Sequence, residues 1–263
     1  VLVLALDTST PSVTAGVVRL RRPHEIIAAL DSVGGLGDAD SAATAARPGT
    51  LLAEHRIDDA FAHAERLMPL ARAALSDAGC TLRDLDAVVV GLGPGPFTGL
   101  RVGVATAAAL GDALGAPVHG VPSHDATARS VAPWVGDLIV VTDARRREVY
   151  LSAYRQDGSR ALGPLVAAPV TVPELLTAER VEPARVVGSG AGLLNGFLDI
   201  GAPSVTDAAG PADPSPGSSL ALGLVERAAV ALLTGAVPGP LTPLYLRRPD
   251  ATEPGARKSV LGR

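Results

Sequence analysis

The chain has 263 residues, 47% of them hydrophobic and 19% charged, which is enough to bury a substantial core and too apolar for a disordered chain. A net charge of −4 and 3% aromatic residues argue against an independent nucleic-acid binder and against a base-stacking platform, because phosphate backbones are held largely by Lys and Arg. Cys80 is the only cysteine and Lys258 the only lysine, so a disulfide framework, an all-cysteine metal cluster and a Walker or Schiff-base lysine inside the fold are excluded.

Residues 1–6 are an unbroken apolar run, the signature of a strand buried on both faces. Asp7-Thr8-Ser9-Thr10-Pro11 reads as a turn and residues 12–18 as a return strand. The same unit recurs later: Leu138-Ile-Val-Val141, a turn at Asp143-Ala-Arg-Arg-Arg147, and a return strand at 149–154. Val13 follows Asp7 by six residues, as Val149 follows Asp143, so a duplicated α/β architecture is expected.

Residues 32–50 are rich in Gly, Ala and Asp and lack periodicity, and are expected to form a mobile surface insertion. A helix is expected over about 58–78, with Phe61, Ala64, Leu67, Met68, Ala71, Ala74, Leu75 and Ala78 on its apolar face and Pro69 kinking it. A buried strand at 86–90 precedes Gly91-Leu-Gly-Pro-Gly-Pro-Phe-Thr-Gly99, and a helix over about 98–114 follows with Thr98 as its N-cap. That helix is small and apolar nearly all round, so one side must cover the sheet and the other needs a second covering surface. Ser123 is read as the N-cap of a short helix over 124–131. The Pro-rich stretch 201–219 leads into a helix at about 219–234, and the tail from Pro238 is expected to be extended or disordered. These boundaries give an N-terminal domain over 1–117, a second domain over 118–236 and a tail over 237–263. No segment reaches the roughly 18 apolar residues of a membrane span, and the N-terminus lacks signal-peptide features, so the chain reads as soluble and cytoplasmic.

The glycine loop precedes a helix, as phosphate-cradling loops do. It lacks Gly-Lys-Ser/Thr, departs from Gly-x-Gly-x-x-Gly at Pro96, and loses two amides to Pro94 and Pro96, so the weightier reading is a stiff loop that aims the helix. Asp7 and Asp143 end strands, where a carboxylate holds either Mg²⁺ or its own turn. Gly188-Ser189-Gly190 is a strand-end turn without the Gly-x-Ser-x-Gly pattern. Ser123-His124-Asp125 is a triad only as a string. No His-x-x-x-His pair supports a zinc site, and Cys80 reads as inert. Arg145, Arg146 and Arg147 form the strongest basic cluster, read first as a solvated turn and second as a tRNA contact.

Together, Leu4-Ala-Leu-Asp-Thr-Ser-Thr10, His63-Ala-Glu-Arg-Leu-Met-Pro69, the block Gly91 to Thr106, Gly120-Val-Pro-Ser123, Asp143-Ala-Arg145, Glu148-Val-Tyr150 and Pro243-Leu-Tyr-Leu-Arg247 resemble the bacterial TsaB (YeaZ) family. Pro96 departs from the family pattern, which more often has Ser there. The resemblance implies an α/β, actin-like ATPase (ASKHA-type) fold of two related domains, and a non-catalytic role in forming N6-threonylcarbamoyladenosine at position 37 of tRNA. It implies pairing with a TsaD-like paralogue that carries the metal and transfers the group, and docking of a TsaE-like ATPase. It also implies tRNA contact only within the complex, a homodimer when alone, and no cofactor of its own, with ATP and Mg²⁺ at most at a shared interface.

On this resemblance the partner interface is His63, Leu67, Met68, Ala71, Leu100, Val104 and Ala108, with no catalytic or metal-binding residues. Asp7, Gly93, Gly95, Thr98, Gly188 and Gly190 are the phosphate-proximal candidates. The alternatives are an active kinase-like ATPase of the same fold, using Asp7, Asp143 and the Gly188–Gly190 turn, and an M22-like metallopeptidase.

Overall fold

The computed structural model describes residues 1–33, 46–58, 63–198 and 219–247. Most of the 32–50 insertion, Phe61, most of the 201–219 stretch and the tail from 248 lie outside the described residues. The first sheet has the order β3-β2-β1-β4-β5, built from β1 (Leu2–Asp7), β2 (Ser12–Leu20), β3 (Gly49–Asp58), β4 (Ala87–Gly91) and β5 (Val118–Val121). β2 runs antiparallel to β1 and β3, while β4 runs parallel to β1 and β5. The apolar N-terminal run is central, and its alternation divides two cores. Leu4 and Leu6 face one side with Val88 and Val90, and Val3 and Ala5 face the other with Val89.

Helices α2 (His63–Asp77) and α3 (Phe97–Leu114) cover the first of these faces through Leu67, Ala71, Ala74, Leu75 and Ala107. α1 (Pro23–Val33) follows β2 as a mostly exposed helix, where no element was expected. The opposite face is covered by α6 (Leu220–Thr234), whose Ala221, Leu222, Leu224, Val225 and Ala228 pack on Val3, Ala5 and Val18.

The second sheet has the order β8-β7-β6-β9, from β6 (Asp137–Asp143), β7 (Val149–Tyr154), β8 (Arg160–Ala167) and β9 (Pro183–Val187). β7 is antiparallel to β6 and β8, and β9 is parallel to β6. This repeats the first sheet without its fifth strand, so the duplication read from the two hairpins extends to strand order and direction. The registers differ by one residue, since Asp7 faces Thr14 whereas Asp143 faces Val149. Between the sheets lies α4 (Ser123–Ser130), while α5 (Val172–Ala178) buries Val172 and Leu176 against Ile139 and Val141 of the second sheet.

Several boundaries move. β5 pairs with β4, so a break at 117 would cut through the first sheet. α6, placed by sequence in the second domain, closes the first, because that sheet would otherwise leave Val3, Ala5 and Val89 bare. Residues 49–58 form strand β3 rather than loop and helix start, and α2 begins at His63. Pro96, not Thr98, is the N-cap of α3, and Pro122, not Ser123, that of α4. Ser219, given no such role from the sequence, caps α6 by accepting from the Leu222 N–H at 3.0 Å. The tail over 237–247 is extended but anchored: Leu241 and Leu244 pack on the α2/α3 core and Leu244 N–H donates to the Leu92 carbonyl at 2.8 Å.

Candidate functional site

The turn after β1 and the glycine loop before α3 meet at one point. Asp7 is buried, its Oδ1 accepting from Ser9 N–H at 2.8 Å and Ser9 Oγ–H at 2.7 Å, and its Oδ2 from Ser123 Oγ–H at 2.6 Å. Burial pushes the Asp7 carboxyl above its usual range, against the lowering effect of those three hydrogen bonds. A Cβ on Gly91 would overlap this carboxylate, one on Gly95 the Ser9 carbonyl, one on Gly99 the Thr8 carbonyl, and one on Gly103 the Thr8 hydroxyl. The four-residue spacing of these glycines thus seats the Asp7-Thr8-Ser9 turn, and Thr8 Oγ–H closes the contact on the Gly99 carbonyl at 2.7 Å. Gly93 N–H donates to Ser123 Oγ at 3.1 Å, while Thr98 is exposed on the first turn of α3.

The phosphate-proximal candidates therefore do not converge on one concave site. Asp7, Gly93 and Gly95 are engaged within the chain. Gly188 and Gly190 lie on the second sheet, where a Cβ on either would overlap the backbone of Val141 or Thr142. Asp143 is exposed, and its Oδ1 accepts the Arg145 N–H at 2.6 Å. Among the described residues no group of three or more His, Cys, Asp or Glu is placed to hold a metal ion, and no helix is long and apolar enough to cross a membrane.

Ser123, His124 and Asp125 diverge. Ser123 reaches Asp7, and His124 bridges to the second sheet through Ser152 Oγ at 2.9 Å and Thr142 Oγ1 at 3.0 Å. Asp125 accepts from Tyr154 Oη–H and Arg160 Nη2–H, both at 2.7 Å. Burial, with a smaller contribution from Arg160, lowers the His124 pKa to about 3, so the imidazole is neutral. These three residues join the two sheets rather than forming a relay.

The interface candidates divide in the same way. Leu67, Ala71 and Leu100 are fully buried, the first two against the chain's own β-sheet and Leu100 beside Gly93 of the glycine loop. His63 is buried, with Nε2 2.9 Å from the Thr10 carbonyl, tying α2 to the β1–β2 turn. The reason is geometric: in helices against a sheet, the most apolar spacing marks the inward stripe. Met68, Val104 and Ala108 stay half-exposed, joined on α3 by exposed Ala105 and Ala109. Arg145, Arg146 and Arg147 are exposed on the β6–β7 tip. Sequence reasoning missed a cavity of about 240 Å³ lined by Asp125, Arg129, Trp134, Tyr154, Glu226 and Arg227. The buried Glu226 there pairs with Arg47 at 3.0 Å and Arg129 at 2.8 Å, an arrangement with no local sequence pattern.

Residues 58–190, about half of the chain, match the family model of TsaD, tRNA N6-adenosine threonylcarbamoyltransferase. A Bacillus subtilis protein named tRNA threonylcarbamoyladenosine biosynthesis protein TsaB is 34% identical over 109 residues, covering 41% of this chain and 48% of its own. The chain belongs to the TsaB (YeaZ) family. An uncharacterized protein of Mycobacterium tuberculosis is 45% identical to this TsaB-type chain over 252 residues, 95% of this chain and 93% of that one. A Pseudomonas aeruginosa crystal structure, described as similar to the peptidase YeaZ, superposes with a TM-score of 0.61 at 26% identity, over 91% of this chain and 99% of that one. The two-sheet architecture of the TsaB-type chain is accordingly the actin-like ATPase fold.

Proposed function

We propose that this chain acts in N6-threonylcarbamoyladenosine formation on tRNA as a non-catalytic scaffold. It pairs with a TsaD-type transferase through the outer face of α2 and α3 and contributes part of the dock for a TsaE-type ATPase. The observation that carries this reading is that outer face. Met68 on α2 and Val104, Ala105, Ala108 and Ala109 on α3 keep apolar side chains, small ones on α3, part- or fully exposed, while Leu67, Ala71, Ala74, Leu75 and Ala107 are spent on the sheet. Small side chains let a second helix pair approach closely, and an interface of about 1,600 Å² in total is enough for a stable pair.

The engagement of Asp7 and the glycine loop inside the chain supports the division of labour, since groups that would serve an ATPase are used for packing. ATP and Mg²⁺ are then bound at the surface shared with the partners, the chain is cytoplasmic, and without partners it forms a homodimer through the same face. The test is reconstitution with the TsaD-type protein of the same organism. The two proteins should co-purify, this chain alone should transfer nothing, and transfer should require both. Full transfer by the TsaD-type protein alone would overturn the proposal.

A further inference from the structure

A second surface lies at the start of α3, where the tail crosses it. Phe97 and Tyr245 stand side by side, ring centroids 4.8 Å apart and tilted by 38°, each 42% exposed. The Arg101 guanidinium lies 3.7 Å from the Phe97 ring centre, and its Nε–H donates to Tyr245 Oη at 3.2 Å. The chain has seven Phe, Tyr and Trp residues, and two of them are spent on this exposed pair. Core packing does not account for them, because neither residue is enclosed by the fold and an apolar group gains nothing from the part left in water.

The same strap leads to a basic row. Two residues beyond Tyr245, within about 7 Å of extended chain, Arg247 donates from Nη1 to the Ala144 carbonyl at 2.6 Å and pairs through Nη2 with Glu148 at 3.4 Å. Ala144 opens the β6–β7 tip, where Arg145, Arg146 and Arg147 are all exposed with φ of 62°, 53° and 61°. Three successive non-glycine residues in the left-handed region are uncommon, and they splay consecutive side chains around the tip. From Arg101 to Arg147 this strip carries five guanidinium groups, against the carboxylates of Asp143 and Glu148, on a chain whose net charge is −4.

We propose that this strip is a docking surface for single-stranded RNA. An unstacked base lies against the exposed part of the Tyr245 ring, beside the Phe97 ring that the Arg101 guanidinium already covers, and the phosphates that follow it run past Arg247 to the β6–β7 tip. A part-exposed aromatic ring takes any base, and the guanidinium row takes the backbone. The identity of the RNA as tRNA rests on the function proposed above; the surface itself does not.

The experiment uses the full chain assembled with its TsaD-type partner and an unmodified, fluorescently labelled tRNA transcript, read by anisotropy over a range of salt. Two double variants are compared with wild type, F97A/Y245A and R145E/R147E. The ring variant should weaken binding about tenfold. The arginine variant should flatten the slope of log K against log salt by about 1.4, the loss of two phosphate contacts. Both should still co-purify with the partner.

Unchanged affinity and slope in both variants, with the complex intact, would overturn the inference. So would loss of co-purification in either folded variant, because the strip would then belong to a protein interface. If the wild-type pair does not co-assemble, it is the scaffold reading that fails, and the same titration on the isolated chain at about 50 mM salt still decides this one by whether the variants lose binding.

Discussion

Ser123 Oγ donates to Asp7 Oδ2 at 2.6 Å across 116 residues of chain, and accepts the Gly93 N–H at 3.1 Å. One hydroxyl thereby joins the end of β1, the glycine loop and the start of α4. Removing it by S123A leaves a buried carboxylate oxygen and a buried amide short of a partner. The expected loss is about 1–3 kcal/mol of stability, read as a lower denaturant midpoint with an unchanged slope.

The glycine loop should be intolerant for a steric reason. Gly95 has the Ser9 carbonyl where its Cβ would be, and backbone cannot yield as a flexible side-chain end can. G95A should cost about 3 kcal/mol or abolish soluble expression. Gly192, whose Cβ would meet open space, is the control, and G192A should stay within about 0.5 kcal/mol of wild type in the same denaturation experiment.

Much of this architecture is legible in the chain itself. The two apolar runs at 1–6 and 138–141, each followed by an acidic turn and a return strand, mark the central strands of both sheets, because only a strand buried on both faces lacks polar residues. Helix α6 is equally clear, from an apolar run that follows a Pro-rich stretch. What composition and spacing do not carry is partnership between distant segments. Nothing local tells α6 that it covers the first sheet, or Glu226 that it meets Arg47 and Arg129. β3 is hidden because an edge strand, half-exposed on both sides, lacks alternation. The interface reading of Leu67 and Ala71 fails because the most apolar stripe of a helix is claimed first by its own sheet, and that of Leu100 because it is buried beside the glycine loop. The Phe97–Tyr245 pair is invisible at 3% aromatic content, since its residues are 148 positions apart and only the tail's path brings them together.

His124 makes stability depend on pH. Its folded pKa of about 3 lies below the ordinary value of 6.5, so the unfolded chain takes up the proton more readily. Its stabilising contribution is complete above 6.5 and is lost as pH falls from there toward 3. At pH 5 the loss relative to pH 7 is about 2 kcal/mol. The raised pKa of Asp7 acts with the opposite sign, favouring the fold as pH falls through it. H124Q, which keeps a polar group facing Ser152 and Thr142, should therefore lose less stability than wild type between pH 7 and pH 5. Equal losses in paired thermal melts would show that His124 does not set the dependence.

The outer face of α2 and α3 separates packing from partnership residue by residue. Val104 and Ala108 are half-exposed on α3, and Val104 alone of the two packs in part on the sheet-facing core, so an arginine at 108 can extend into solvent and leave the core as it is, while one at 104 gives up that contact. A108R should melt within a few degrees of wild type and V104R lower by its lost core contact, and both should fail to co-purify with the TsaD-type partner, because a guanidinium buried against small apolar side chains has no counter-charge there. L67A should do the reverse: Leu67 is 1% exposed within the sheet-facing core, so truncation should cost about 2–5 kcal/mol while any folded fraction still pairs. Pairing by V104R and A108R at wild-type level in light scattering would move the interface off this face.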